Sequence, residues 1–191
     1  MPSFTVVAGP NGSGKTTLTR YGREAFQQLS VLDPDAIAQA LTGASDKGGS
    51  AIDAGREVLY IAEAALANGE SFIVETTLSG KTYLHMAKRA QTLGYTFVFI
   101  FVGTSGVQIN IERVHRRVLK GGHDVPEEDQ RRRFGRSMAN MRVALSLSDR
   151  AVFYDNSTEE GHRKIATKRD GAITVYEPLP TWAEFLREEK N

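Results

Sequence analysis

Residues 4–19 read FTVVAGPNGSGKTTLT, and the order of these letters decides the fold. Phe4 to Ala8 form a short apolar run of the kind that makes a strand buried on both faces. Gly9, Gly14, Lys15 and Thr16 then satisfy G-x-x-x-x-G-K-[ST], a phosphate loop that must follow a strand and open a helix. The chemistry needs these residue types. Glycines let successive backbone N–H groups curl around phosphate oxygens, and the helix N-terminus adds partial positive charge. Lys15 is expected to reach the β- and γ-phosphates and the Thr16 hydroxyl to ligate magnesium. The expected nucleotide-binding set is therefore Gly9, Pro10, Asn11, Gly12, Ser13, Gly14, Lys15, Thr16 and Thr17, with ATP and Mg2+ as cofactors.

Downstream, apolar runs at Ser30 to Leu32, Ser71 to Val74, Thr96 to Val102 and Ala151 to Tyr154 read as further parallel strands. Amphipathic stretches separate them. From Gly55 to Asn68, Val58, Ile61, Ala62, Ala65 and Leu66 recur on one helical face, and Gly69 closes the helix. Helices are also expected over Lys15 to Leu29, Lys81 to Leu93, Val107 to Leu119 and Pro126 to Leu147. Strands alternating with helices imply right-handed crossovers and an α/β, three-layer P-loop sandwich with a mostly parallel sheet of five or six strands. In the tail, Ala172 to Tyr176 reads as a late antiparallel edge strand. Thr181 caps a short helix through Trp182 to Glu189, with Trp182 a packing anchor.

With 191 residues, 40% of them hydrophobic, the chain is expected to form one domain over 1–191. A net charge of +1 supplies no broad cationic field. The absence of cysteine excludes a disulfide framework, a thiolate metal site and a thiol nucleophile, and suits a reducing compartment. No run approaches the roughly 20 apolar residues of a membrane span, and MPSFTVVAG carries no basic leader region. A cytoplasmic protein without a membrane partner is the expectation.

A phosphate loop does not say where the γ-phosphoryl group goes. Asp46 to Gly49 matches D-x-x-G, and Thr167 to Asp170 faintly resembles N-K-x-D, but neither has the context of a GTPase motif, so both read as chance matches in loops. Two carboxylate sites stand instead at strand ends, which face the ligand crevice in an open α/β sheet. After the second strand comes Asp33-Pro34-Asp35. Asp35 either accepts the proton of an attacking hydroxyl or caps a helix over Ala36 to Leu41. After the third comes Glu75, followed by Thr76 and Thr77. A carboxylate there can hold a magnesium-bound water or orient an acceptor, and the two hydroxyls can touch substrate.

The third feature is charge. From Arg113 to Arg136 there are eight Lys/Arg against four Asp/Glu, broken by Gly121-Gly122-His123-Asp124-Val125-Pro126. The segment 113–136 reads as a basic lid that would bring guanidinium groups onto a transferring phosphoryl, the alternative being a solvated helix face. His123 is either an anion or proton-transfer group or a surface loop residue.

The constellation resembles the zeta-toxin family of P-loop kinases and its chromosomal relatives. The matching residues are GPNGSGKT, LDPD at Leu32 to Asp35, AGRE at Ala54 to Glu57, VETTLSG at Val74 to Gly80, IERV at Ile111 to Val114, and GGHDVP with the arginines after it. The resemblance implies ATP-dependent phosphorylation of a hydroxyl, with UDP-N-acetylglucosamine the family's known acceptor. It makes Asp35 the catalytic base and Glu75 an acceptor-site residue. Arg113 becomes one of two phosphate-neutralising arginines. The second falls near His123, with Arg131 to Arg133, Arg132 at their centre, able to replace its charge. An acceptor pocket would be lined by Asp35, Arg56 and Glu75 together with Thr76, Thr77 and His123. By similarity to nucleoside-monophosphate-kinase-like folds, Asn156 in the loop Asp155 to Ser157 borders adenine. The leading expectation is a kinase of a small-molecule hydroxyl. The rivals are a nucleotide or polynucleotide 5′-hydroxyl kinase, a nucleotide-sensing ATP-binding protein and a water-activating ATPase. Nucleic acid is the less favoured partner, because Phe134 alone could stack on bases near the arginines. An antitoxin-like partner is left open.

Overall fold

The computed structural model describes residues 1–21, 30–32, 51–122 and 124–190. In order these contain β1 (Ser3–Ala8), α1 (Lys15–Tyr21), β2 (Ser30–Leu32), α2 (Ala51–Ala67), β3 (Phe72–Thr76), α3 (Thr82–Thr92) and β4 (Thr96–Gly103). They continue with α4 (Val107–Val118), α5 (Glu127–Leu147), β5 (Arg150–Asp155), β6 (Arg163–Arg169), β7 (Ala172–Val175) and a 3₁₀ helix (Thr181–Lys190). Asp33, Asp35, the helix expected at Ala36 to Leu41, and His123 lie outside the described residues.

Among the described residues the sheet has seven strands in the order β2-β3-β1-β4-β5-β6-β7. The first five are parallel and the last two antiparallel. This corrects the expected count of five or six. The missed strand is β6, whose sequence RKIATKR is mostly charged. Only Ile165 and Ala166 in it are buried, so it carries no apolar run by which a strand is recognised. Thr167 to Arg169, read as loop, belong to that strand. The late edge strand is present as β7, and the tail helix is present as a 3₁₀ helix.

Strand alternation sends side chains to two faces. Phe4, Val6, Phe72, Val74, Phe97, Phe99, Phe101 and Phe153 share one face, under buried residues of α2, α3, α5 and the 3₁₀ helix. Their rings touch in series, Phe4 to Phe72 at 4.8 Å, Phe99 to Phe153 at 5.9 Å and Phe101 to Trp182 at 5.9 Å between centroids. Val7, Ile73 and Ile100 lie on the other face, with Leu18 of α1 packed against them. The chain runs out from β1 to β2, returns through β3 and crosses to β4. The loop after β1 therefore sits where the winding reverses, the place an open α/β sheet uses for ligands.

Candidate functional site

The phosphate loop is built so tightly that side chains would break it. Gly9 has φ +152°, and a Cβ there would lie 2.2 Å from the Val102 carbonyl oxygen. Gly14 has φ +97°, and a Cβ there would lie 2.4 Å from Asn156 Nδ2. Both positions combine a backbone that L-residues rarely adopt with space for a hydrogen alone. Gly9 N–H donates to the Thr76 carbonyl at 3.3 Å, tying the loop to the end of β3. Ser13 is fully buried, and among the described residues its hydroxyl has no hydrogen-bond partner. A buried hydroxyl in that state is costly unless an acceptor completes it, so Ser13 fits the loop to an anionic ligand. Lys15 is buried, with Nζ donating to the carbonyls of Gly9 at 2.9 Å and Pro10 at 3.0 Å. Thr17 is exposed on α1.

Glu75 is the centre of a second cluster. It lies within β3, opposite Val7 in register and two residues after Ile73. The two-residue strand period therefore turns it to the α1 face. There Thr16 Oγ1 donates to Glu75 Oε1 at 2.6 Å, and Thr19 Oγ1 donates to Oε2 at 3.2 Å. Glu75 is buried, and a buried carboxylate requires such donors. A threonine hydroxyl beside a carboxylate is an all-oxygen donor set of the kind that suits magnesium. The next residues form a tight turn. Thr76 Oγ1 accepts from Leu78 N–H at 3.1 Å, Thr77 and Ser79 hydroxyls meet at 3.1 Å, and buried Leu78 has φ +54°. Asn140 of α5 donates to the Leu78 carbonyl at 2.8 Å and secures that turn.

The third wall comes from α4 and the loop after β5. The Asn110 backbone abuts Gly12, whose Cβ would lie 2.5 Å from the Asn110 oxygen. Arg113, one turn on, donates to the Asn156 carbonyl at 2.7 Å and the Thr158 carbonyl at 3.3 Å. Asn156 Nδ2 in turn donates to the Ser13 carbonyl at 2.8 Å. His162 Nε2 donates to the Gly14 carbonyl at 3.0 Å, so that nitrogen carries the proton. Burial lowers the His162 pKa from its ordinary value, the Gly14 hydrogen bond opposes that shift, and the nearby Arg113 charge adds to it. Further along α4, Arg113, Arg116, Arg117 and Lys120 line a cavity of about 340 Å³ with Gly122.

Lys15, Thr16, Glu75, Thr76, Arg113 and Asn156 thus converge on the phosphate loop. Arg56 is exposed on α2. Arg131, Arg132 and Arg133 pair with Glu127 and Asp129 of α5, and Arg131 also donates to Gln108 of α4 at 3.3 Å; among the described residues none of these contacts is with the loop. Sequence reasoning missed Thr19, Asn110, Asn140 and His162 as builders of the site. Thr19 alone had a signal, being one turn beyond Thr16 on the same helix face. Asn110 and His162 meet the loop, and Asn140 the turn after β3, only through tertiary packing.

A buried lysine in a glycine loop, a threonine paired to a strand-end glutamate and a central parallel sheet together define a P-loop kinase-like fold. Residues 4–143 match the AAA domain family, and the chain belongs to that family. It is 34% identical over 120 residues to an uncharacterized protein of Haemophilus influenzae, covering 63% of this chain and 84% of that one. Among solved structures it is similar to the AvrRxo1-ORF1:-ORF2 complex with ATP, at TM-score 0.70 and 16% identity. That match covers 100% of this chain, which spans 64% of the length of its counterpart. It is also similar to the PezAT chromosomal toxin-antitoxin system of Streptococcus pneumoniae, at TM-score 0.60 and 18% identity over 85% of this chain and 70% of that one. Among the described residues no helix is long and apolar enough to cross a membrane.

Proposed function

We propose that the chain is an ATP-dependent kinase of the zeta-toxin type that transfers the γ-phosphoryl group to a hydroxyl of a small acceptor. The observation that carries this reading is the Thr16–Glu75–Thr19 cluster, set beside the buried Lys15. It supplies a phosphate cradle and, next to it, a carboxylate for the metal and acceptor side. The similarity to a complex solved with ATP and to a toxin-antitoxin system supports the same reading.

In the proposed site, Gly9 to Thr17 hold the triphosphate and Lys15 pairs with its β- and γ-oxygens. Magnesium, held by Thr16 with Glu75 behind it, would neutralise charge on the phosphate oxygens when bound. The Asp35 carboxylate accepts the proton of the acceptor hydroxyl. The freed oxygen bonds to the γ-phosphorus, the bond from that phosphorus to its β,γ-bridging oxygen breaks, and ADP leaves. Arg56, Thr76, Thr77 and His123 border the acceptor, and Asn156 the adenine. The segment 113–136 acts as the lid, with Arg113 and Arg132 stabilising the transferring group; Arg132 must leave Asp129 to do so. A UDP-N-acetyl sugar is the first acceptor to try.

The test is a single-turnover reaction of the purified chain with γ-labelled ATP, magnesium and a small-metabolite extract. Wild type labels a small molecule, and the Lys15→Ala and Asp35→Ala chains do not. Label on an oligonucleotide 5′-end, label released as free phosphate, or tight ATP binding without transfer would each replace this reading with one of its rivals.

A further inference from the structure

The loop that closes the nucleotide end lies beyond residue 143, where the family match stops, and it is fastened from the C-terminus. Trp182, the only tryptophan in the chain, donates its indole N–H to Asp155 Oδ1 at 2.9 Å. Its ring lies against Gly103, where a Cβ would come within 2.5 Å of it, and against Phe101. Asp155 is buried at the end of β5. The Ser157 hydroxyl donates to the same Oδ1 at 2.6 Å and accepts from Ser105 N–H at 2.9 Å and Ser105 Oγ at 2.6 Å. That uses its one donor and both acceptor sites. Between these two residues stands Asn156, bound to Ser13 of the phosphate loop and to Arg113.

We infer that Trp182 is a positioning residue of the nucleotide site, its indole N–H holding the Asp155 carboxylate and through it the turn that sets Asn156 on the phosphate loop. The physical reason is the burial of Asp155. A buried carboxylate keeps a defined rotamer only when its oxygens are satisfied, and beyond Trp182 and Ser157 it has Arg163 at 3.9 Å. The 3₁₀ helix itself is anchored separately by buried Ala183, Phe185 and Leu186. Removing the N–H therefore leaves that packing in place and holds the carboxylate by Ser157 and Arg163 alone among the described residues. The consequence for ATP rests on the function proposed above, whereas the consequence for the loop does not.

Trp182→Phe keeps a ring and deletes the donor; Ser157→Ala cuts the same chain on its other side. Two readouts are taken on each, with melting temperature as the control for general damage. In the free protein, amide hydrogen exchange across residues 9–19 and 155–162 is expected to speed up in both variants. With ATP, each is expected to bind about ten- to a hundredfold more weakly, as for loss of one hydrogen bond to a charged group, and the double variant no worse than the poorer single. Unchanged exchange in a folded variant, or losses that simply add in the double, would overturn the inference. Should Trp182→Phe not fold, Ser157→Ala decides it by the exchange readout alone. Faster exchange in a chain whose wild type binds no ATP would uphold the positioning role and sink the nucleotide reading instead.

Discussion

The Thr16 hydroxyl meets the Glu75 carboxylate at 2.6 Å across 59 residues of sequence. The contact joins the first turn of α1 to the end of β3, and so couples the phosphate loop to the strand that leads into the proposed acceptor side. Because Glu75 keeps an acceptor oxygen when changed to glutamine but loses its charge, Glu75→Gln separates geometry from electrostatics. Magnesium-dependent ATP binding is expected to weaken about tenfold, the usual cost of losing a partner behind a metal ligand. Titration calorimetry with and without magnesium measures it; equal loss in both conditions would assign Glu75 elsewhere.

Gly14→Ala is expected to abolish nucleotide binding and to destabilise the chain. The new methyl group meets Asn156 Nδ2 at 2.4 Å and His162 Nε2 at 3.0 Å, on a backbone at φ +97°. Strain of this kind costs roughly 1–3 kcal/mol. Denaturant unfolding gives the stability change and ATP titration the binding loss.

Arg132→Ala tests the lid. Arg132 pairs with Asp129 one turn back on an exposed helix face, and such pairs contribute little to stability. The melting temperature should hardly move. If the lid closes as proposed, turnover falls by about tenfold or more while ATP affinity stays within about twofold, because the contact exists only in the transition state. Turnover equal to wild type would remove Arg132 from the site.

His162 makes stability depend on pH. Its native pKa lies below the ordinary 6.5, chiefly because burial disfavours the imidazolium. Its contribution is complete above that ordinary value. It is lost as the pH falls from there through the lower native value, since the unfolded chain takes up the proton first. Melting temperatures between about pH 5 and 7.5 should decline on the acid side. His162→Gln, which can still donate to the Gly14 carbonyl, should flatten that part of the slope.

Phe99→Ala probes the core beneath the site. Phe99 is fully buried and touches Phe97, Phe101 and Phe153. A loss of about 3–5 kcal/mol is expected from the missing transfer energy and the cavity left behind, measured by urea unfolding.

Much of this architecture was legible beforehand, because local sequence imposes it. FTVVA makes a strand, GPNGSGKT a phosphate loop and KTTL a helix start through backbone freedom, apolar periodicity and charge that act over a few residues. Glu75 was legible as a strand-end carboxylate for the same reason. Its pairing with Thr16 and Thr19 was not, since that follows from the face of β3 that packs under α1. The strand β6 stayed hidden because RKIATKR, antiparallel between β5 and β7, buries only Ile165 and Ala166. Its strand state comes from hydrogen bonding to neighbours rather than from its own pattern.

The sequence by itself determined the phosphate loop, since glycine's conformational range and the spacing of Lys15 and Thr16 are local properties. Only the tertiary structure decided what surrounds that loop: Asn110 against Gly12, Asn156 and His162 on the carbonyls of Ser13 and Gly14, and Trp182 behind Asp155. These contacts join residues far apart in the chain, and long-range packing, not any signal within each segment, brings them together.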